Sequence, residues 1–580
     1  MTTVAALSLL VPLAAACLLA GASPFASRRL AWLAPAAALA AVALTAALML
    51  RDETRLLVWF GGWEPRAGVA LGVGFAVDGI GAGLALFVAV LGTAALALAI
   101  RVIPVQGLLF DALMLVFVGA MIGYCLTGDL FNLFVFFELM SVAAYVLVGY
   151  EVRRRSALEG ALTFAVTNSV GSILLLFGIG LVYGRTGALN LAQIGRTLEA
   201  GPHDTLVAVA FALIACGLLV KAAVVPFHLW TADAYAVAPT PVCILLAGAF
   251  SELGLYGLAR VYWTAFDGVL AAGDLRAVLI GAGVLTGVVG AVMCAVQHHL
   301  KRMLAFATIA HVGLFLAGLG LLSPDGVAGV AVWVVADGLV KAGLFACVAV
   351  VQHRFGTVEA SELHGRGRAL WPVGAVFVAG ALTVASLPPF GSFVGKALVE
   401  DAAPGWIAVA MLLVTGLVGG TLLRTAGRIF WGLGVPAPPD PAGDEPEEHG
   451  RESEGGVGIL GVGAGLLTLA GMACGLVPLR QIAGAAAAFT DRRGYAAAVL
   501  DGRALEVPAL SLHGPGAAAY AYAAGSLALS VAVAAIGATR RVPVPRPVEA
   551  LRRLHSGHAG DYVALTVAGA AVLVSLIALR

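Results

Sequence analysis

Long apolar runs recur along the whole chain and are its dominant pattern. Most of them reach about 20 residues, the length that a helix needs to cross a bilayer. About sixteen can be marked, at residues 4–21, 30–50, 75–98, 107–126, 129–149, 157–183, 205–225, 240–263, 276–297, 302–322, 327–352, 370–386, 391–430, 457–477, 515–538 and 560–579. Because backbone groups in lipid must be hydrogen-bonded within their own segment, each run is predicted to be helical. The pattern predicts an all-α, polytopic membrane protein of about 14–16 spanning helices.

The composition agrees with lipid as the main solvent of this chain. Of its 580 residues, 61% are hydrophobic and 12% are charged, whereas soluble domains are roughly 45–50% apolar and 25% charged. The formal net charge is +1, so there is no strongly basic or acidic balance to attract nucleic acid or an acidic partner. Nucleic-acid binding is therefore excluded.

The sequence also lacks the motifs that hold redox groups or metals. Its seven cysteines all fall in apolar runs, and no two have C-x-x-C spacing. No G-x-G-x-x-G follows a predicted strand, no cysteine set suits an iron–sulfur cluster, and no haem attachment motif occurs. We predict no cofactor and no metal in this chain, so any redox chemistry would belong to partner subunits.

Basic residues are unevenly distributed between alternate loops. They cluster near positions 28–29, 101, 153–155, 301–302, 354, 366–368, 540–541 and 552–553. The positive-inside rule places these clusters in the cytoplasm. The distribution predicts a multi-pass protein of the cell (plasma) membrane with its N-terminus outside.

Two stretches depart from the apolar pattern. Residues 436–454 are Pro-rich and acidic, which is typical of a solvated loop and is expected here on the inner side. Residues 480–513 are mixed and weakly patterned. For that segment three alternatives stay open: it spans the membrane, lies on its surface, or packs as a lateral connection.

Several ionisable residues lie inside the apolar runs. A charge at the bilayer centre costs at least about 2.5–3.5 kcal/mol on insertion scales, so each one suggests a function. A purely structural alternative is pairing between helices, or at i, i+4 as Asp337 and Lys341 could pair. Replacing a buried pair by apolar residues is often neutral, so structure alone would not require so many charges. The residues are Glu138, Lys221, Glu252, His311, Asp337, Lys341 and Lys396.

Two of the lysines stand close to helix-breaking prolines. Lys221 precedes Pro226, and Lys396 follows Pro388 and Pro389. Each proline removes a backbone donor, and broken helices in matching positions of two halves are typical of ion sites between inverted repeats. The alternative for either break is an ordinary kink.

These breaks suggest a division of the chain into five parts. Residues 1–106 form N-terminal spanning helices, and residues 107–263 form a first five-helix repeat with its break near Pro226. Residues 264–430 form a second five-helix repeat with its break near Pro388. An acidic Pro-rich loop at 431–456 and a C-terminal transmembrane extension at 457–580 complete the chain.

At these segments the chain resembles a family of antiporter-like membrane subunits. Its members occur in respiratory complex I (NADH:quinone oxidoreductase), in multi-subunit Mrp sodium/proton antiporters, and in membrane-bound hydrogenases of the hydrogenase-4 type. The resemblance covers roughly residues 70–430. The pieces that carry it are FNLFVFFELMSVAAYVLVGY, LLVKAAVVPFHLWTADAYAVAPTPV, KRMLAFATIAHVG, DGLVKAGLFA and SLPPFGSFVGK.

The resemblance implies roles for individual residues. Glu138 and Lys221 match the family's proton-loading pair, on the fifth helix and on the broken seventh helix. Lys341 matches its connecting lysine, and Lys396 matches the residue from which the proton is thought to leave. His228, in PFHLW, is expected to shape the half-helix or a water path.

Two positions depart from the family pattern. Many members carry lysine or histidine where this chain has Glu252, and HALFK-like segments carry histidine where it has Asp337. Both replacements put a carboxylate in the middle of the path. A carboxylate can still relay a proton.

The function implied is translocation of protons, or of a cation and protons, through these buried side chains. The chain would be a non-redox subunit of a complex I-like, hydrogenase-like or Mrp-type assembly, with other membrane subunits and peripheral redox subunits as candidate partners and with sodium as a candidate cargo. Two alternatives stay open. One is a self-sufficient secondary cation/proton antiporter, and the other is a structural membrane subunit whose charges only pair.

Overall fold

The N-terminal part combines three apolar helices with a small hairpin. In a computed structural model, which describes residues 1–25, 30–51, 55–103, 107–435, 457–539 and 545–578, strands β1 and β2 pair antiparallel, from Leu56 opposite Val77 to Trp59 opposite Gly74. The predicted helical pattern did not include this hairpin, because four-residue strands are too short to show an alternating pattern. The elements are α1 (Thr2–Ala22), α2 (Leu33–Met49), β1 (Leu56–Trp59), β2 (Gly74–Val77) and α3 (Gly79–Val102).

A first set of five spans follows. Its fourth span is broken into α8 and α9, and its fifth, Thr240–Phe266, contains α10 and α11 joined by a π-helical turn at Leu246–Phe250. The helices are α4 (Leu108–Leu126), α5 (Leu130–Val148), α6 (Arg155–Thr186), the short connecting α7 (Leu191–Ala200), α8 (Thr205–Lys221), α9 (Leu229–Val237), α10 (Thr240–Leu245) and α11 (Ser251–Val261).

A second set of five spans repeats this order. Its fourth span is again broken, here into α15 and α16. Because five is an odd number, the second set begins on the side of the membrane opposite to the first, which makes the two repeats inverted. The helices are α12 (Ala272–Val296), α13 (Leu300–Leu319), α14 (Pro324–Phe355), α15 (Trp371–Val384), α16 (Gly391–Ala402) and α17 (Gly405–Ala426).

The two breaks share the same backbone geometry, as the prolines in the sequence predict. Ala223 and Ser386 each adopt a positive φ, of 59° and 68°, two residues after the preceding helix ends. The amide of the next residue then bonds five residues back, from Val224 to Leu219 at 3.1 Å and from Leu387 to Leu382 at 3.0 Å. A cis proline bond follows in each case, at Val225–Pro226 and Pro388–Pro389.

The C-terminal helices pack against both repeats. In this extension α18 lies on α14, α21 lies on α17, and α23 lies on α6 and α8. The chain therefore crosses from the second repeat back to the first between α21 and α23. The helices are α18 (Val457–Ala473), α19 (Leu479–Thr490), α20 (Arg492–Asp501), α21 (Ala517–Thr539), α22 (Arg546–Leu554) and α23 (Ala559–Ala578).

The segment at 480–513, for which the sequence left three alternatives, does not span. Its helices α19 and α20 have 12 and 10 residues, fewer than a bilayer requires. Ion pairs tie it to the hairpin region and to α7: Asp491 binds Arg55 at 3.5 Å, and Asp501 binds Arg196 at 2.6 Å. The segment packs over one end of the helix bundle.

Fourteen of the described helices are long and apolar enough to cross a membrane, and Leu33–Met49 and Thr205–Lys221 are shorter apolar helices. The prediction of an all-α polytopic membrane protein with about 14–16 spans and broken helices is thus confirmed. The acidic stretch 436–454 lies outside the described residues. The five-part division of the chain and the orientation of the N-terminus stay predictions.

A buried ion pair joins the N-terminal helices to the first repeat. Asp78 caps α3 by accepting a hydrogen bond from the Gly81 amide at 2.8 Å, and its other oxygen binds Arg260 of α11 at 2.6 Å. Burial alone would raise the pKa of the Asp78 carboxyl, but the charge and hydrogen bonds of Arg260 outweigh burial and lower that pKa. Arg260 also stacks over the Phe489 ring of α19, at 4.1 Å.

We expect Arg260→Met to destabilise the protein strongly, because it leaves the Asp78 carboxylate buried without its cation. Breaking such a pair typically costs about 3–5 kcal/mol. The double variant Asp78→Asn with Arg260→Met keeps a helix-capping side chain and removes both charges, so it should recover part of the loss. Thermal unfolding in detergent measures this. A double variant no more stable than Arg260→Met would contradict the expectation.

Candidate functional site

Lys221, the last residue of α8, is fully buried and points at α5. Its ammonium donates hydrogen bonds to the Ser141 hydroxyl at 2.5 Å and to the Phe137 carbonyl at 3.3 Å. It also lies 4.0 Å from the centroids of two phenyl rings, those of Phe137 and Phe250. Hydroxyl, carbonyl and aromatic faces all favour a cation. The ammonium is therefore held by groups other than a carboxylate.

Glu138 lies on α5 between the two residues that bind Lys221. It is half-buried and accepts a short hydrogen bond from the Ser172 hydroxyl of α6. Glu138 is near enough to Lys221 for their charges to interact, although no ion pair joins them among the described residues. The two side chains of the predicted loading pair are thus brought together through α5.

A second cluster joins α13 to α14. Asp337 binds His311 Nδ1 at 2.6 Å through one oxygen and Lys341 Nζ at 2.5 Å through the other. The three side chains are at most 1% exposed. Asp337 and Lys341 therefore do form the i, i+4 pair that was considered as a structural alternative. His311 of another helix adds a third member to this pair. A carboxylate between two bases can exchange a proton with either one.

Glu252 lies in the first repeat, facing the second cluster. It is 4% exposed, and neither of its oxygens accepts a hydrogen bond within the described residues. Its charge interacts with those of Lys341 and Asp337. The π-helical turn that precedes it carries Phe250, whose ring touches Lys221. Such turns often occur at functional sites, and this one lies between the two clusters.

Lys396 closes the series on α16, just after the second break. It binds Glu400, one turn later, at 3.1 Å, and both side chains are buried. Lys396 also interacts electrostatically with His311. The structure thus brings seven of the eight predicted path residues into one succession: Glu138, Lys221, Glu252, Lys341, Asp337, His311 and Lys396.

A family profile described as "NADH:quinone oxidoreductase/Mrp antiporter, TM" matches residues 127–422, which contain this whole succession. The chain belongs to this family. The resemblance to antiporter-like membrane subunits inferred from the sequence is confirmed, and the chain is a multi-pass membrane protein.

Individual relatives agree with this membership. The chain is 33% identical over 388 residues to a protein named NADH-quinone oxidoreductase subunit N from Desulforudis audaxviator, a match that covers 65% of this chain and 75% of the relative. It is 36% identical over 300 residues to the protein of the same name from Rhodococcus opacus, covering 51% and 55%. Several matches thus span about half of the relatives' length.

Solved structures support the same fold. A chain of the Mrp complex from Dietzia sp. DQ12-45-1b superposes with a TM-score of 0.75 at 28% identity, covering 86% of this chain and all of that one. A chain of an archaeal membrane-bound sulfane sulfur reductase superposes with a TM-score of 0.76 at 24% identity, with the same coverage. The second likeness shows the fold alone.

His228, the eighth predicted path residue of this antiporter-like fold, contacts the C-terminal extension. It is buried in the first break, and its ring lies 5.2 Å from that of His555, between α22 and α23. Neither of its ring nitrogens is hydrogen-bonded within the described residues. His228 therefore connects the broken helix to the C-terminal extension, while its place in a proton path stays a prediction.

Sequence reasoning missed several polar partners. Glu400 could have been found, because it lies at i, i+4 from Lys396. The hydroxyls of Ser141 and Ser172 give no such signal, since serine is common on helices that contact each other in membranes. Lys301 was assigned to a basic loop. It is instead fully buried and donates to the Ala238 carbonyl at 3.0 Å.

Helix α23 is held directly against the first break. Tyr562 donates to Asp233 of α9 at 2.7 Å, and Gly569 lies so close to the break that a Cβ there would overlap the Pro226 ring. A glycine is needed at this point because the two backbones approach each other closely.

We expect Gly569→Ala to lower the thermal stability of the protein, because the added methyl group must push α23 away from Pro226. Overpacking of this kind costs typically about 1–3 kcal/mol. Gly560→Ala is the matched control in the same helix, since nothing lies within 4 Å of a Cβ at that position. Equal unfolding temperatures for the two variants would show that α23 does not brace the break.

Proposed function

We propose that this chain moves protons, or a cation in exchange for protons, across the membrane as the antiporter-like subunit of a multi-subunit complex. The observation that carries the proposal is the succession of ionisable side chains from half-buried Glu138 through buried Lys221 to buried Lys396, which links both broken helices. Named relatives belong to NADH-quinone oxidoreductase and to an Mrp complex. The cell membrane, with the N-terminus outside, is the proposed location.

Lys221 is the proposed point at which a proton is stored. It has hydroxyl, carbonyl and aromatic partners, so its charge is balanced only through space by Glu138. A change in the charge or position of Glu138 would therefore alter the proton affinity of Lys221.

The onward route passes through carboxylates. Glu252 is the proposed link between Lys221 and the second cluster, because its charge interacts with those of Lys341 and Asp337, and Asp337 holds two bases at once. A proton delivered to Lys341 would strengthen its pairing with Asp337 and favour the loss of a proton from His311, so the three groups exchange protons as a coupled unit. Lys396 and Glu400 are the proposed exit.

The exposure of Glu138 supports a subunit over a protein that acts alone. The residue is only half-buried, and its helix also presents Phe131, Val135, Val142 and Val146 at the surface, each 42–52% exposed. A carboxylate facing lipid near the bilayer centre is costly. A neighbouring membrane subunit on this face would remove that cost.

Lys221→Ala is expected to abolish coupled ion movement while the complex still assembles. The reason is that Lys221 is the buried cation at the end of the broken helix α8. The measurement is proton uptake into proteoliposomes containing the purified complex, with native gels to follow assembly. Arg155→Ala is a matched control, because Arg155 is 92% exposed and pairs with Glu159 on the surface.

Normal pumping by Lys221→Ala would defeat the assignment. If Lys221→Ala and Glu138→Gln instead lowered the amount of complex without selectively lowering transport, the charges would serve only to hold helices together. The chain would then be a structural subunit.

The purified chain alone is expected to be inactive in liposomes, because Glu138 would lack its neighbour. Cation/proton exchange by the lone chain would instead identify a self-sufficient antiporter. Affinity purification from membranes in mild detergent, followed by mass spectrometry and optical spectra, identifies the partners. Iron–sulfur or flavin subunits would indicate a redox-driven pump, and small membrane partners without cofactors would indicate an Mrp-type assembly.

A further inference from the structure

Two arginines at one end of α17 have no carboxylate partner in the described part of the chain. Arg424 lies in the last turn of α17, and Arg428 follows it in the π-helical turn Gly427–Trp431. Arg424 Nη2 donates to the Ala295 carbonyl of α12 at 2.8 Å. Arg428 Nη2 donates to the Gly537 carbonyl of α21 at 2.7 Å. The two guanidinium groups are therefore held near the ends of two other helices.

These contacts use only one nitrogen of each guanidinium group, which carries five N–H donors. Nε of both arginines is enclosed without an acceptor among the described residues. Nη1 of both is not enclosed and donates no hydrogen bond within the same part of the chain. The two positive charges also repel each other, as like charges four residues apart on a helix do. Both side chains are partly exposed, so Nη1 of each can donate to an anion from outside the chain.

The arginines end a face of this span that points away from the helix bundle. Trp406 and Leu413 on that face are 58% and 52% exposed, and Arg424 follows Leu413 by eleven residues, about three helical turns. Trp431, 39% exposed, ends the same span, and tryptophan is enriched where spans leave the hydrocarbon. An apolar face that leads to two cations beside an aromatic ring matches the acyl chains and the phosphate of a phospholipid.

We propose that Arg424 and Arg428 bind the phosphate of an anionic phospholipid, whose acyl chains lie along the exposed face of α17. Nη1 of each arginine donates to a phosphate oxygen, and charge-assisted bonds of this kind are about twice as strong as neutral ones. The predicted orientation of the chain places this end of α17 on the inner side of the membrane, where anionic lipids attract basic residues. The site does not depend on ion transport, so binding is measured directly.

The test compares phosphatidylglycerol with phosphatidylcholine of the same acyl chains, because only phosphatidylglycerol carries a net negative charge. Each lipid is added to the delipidated protein or complex in detergent, and its apparent affinity is obtained from the rise of the unfolding temperature with lipid concentration. The unmodified protein should prefer phosphatidylglycerol by roughly tenfold or more. The double variant Arg424→Gln with Arg428→Gln keeps an N–H donor for each helix carbonyl but removes both charges, so it should lose that preference.

Two further variants complete the test. Arg155→Gln is the matched control, because Arg155 is an exposed arginine whose charge is already paired with Glu159, and it should keep the full preference. Arg428→Gln alone serves if the double variant does not fold, since it leaves the contact of Arg424 with α12 in place. It should lose part of the preference.

Several results would overturn the site. They are equal affinities of the two lipids for the unmodified protein, as expected if the acidic stretch 436–454 neutralised the arginines instead, an unchanged preference in the arginine variants, and an equal loss in Arg155→Gln. Stabilisation by inorganic phosphate as large as that by phosphatidylglycerol would also overturn it, because the acyl chains would then play no part. None of these results bears on the transport assay of Lys221→Ala, so the two proposals fail separately.

Discussion

The cost of holding a charge in a medium of low dielectric constant organises this molecule. Asp337 is held between two bases, and Lys396 has Glu400 one turn away. Lys221 and Glu252 have no ion-pair partner in the described part of the chain. Glu252 follows the π-helical turn Leu246–Phe250, and the Phe250 ring of the same turn lies against Lys221.

The two broken helices supply a second constraint. A break leaves backbone groups without helical partners, and these must be satisfied by other parts of the protein. Here a residue with positive φ, at Ala223 or Ser386, lets the chain close a hydrogen bond five residues back before it turns. The first break is further covered by α23, whose Gly569 lies against Pro226. The C-terminal extension is therefore part of the support of the first repeat.

The end of the bundle that carries the hairpin is held by a different kind of contact. Short helices α7 and α20 meet each other there through a partly exposed ion pair between Arg196 and Asp501. Exposed pairs contribute about 0–1 kcal/mol each. The fully buried pair of Asp78 and Arg260 beneath them is the firmer connection, because removing either partner leaves a buried charge unpaired.

The all-α membrane architecture, the approximate spans, the two breaks and most of the ionisable residues could be predicted from the amino-acid sequence. These follow from local properties: the length of an apolar run, the missing donor of a proline, and a charge that lipid does not tolerate. Motif resemblance also assigned the family.

Which side chains meet could not be predicted in this way and is known from the folded structure. The contacts of Lys221 with Ser141 and Phe250, of Asp337 with His311, and of His228 with His555 join different helices or segments. Their formation depends on the rotation and crossing of helices, which apolar periodicity leaves open when nearly every face of a span is apolar.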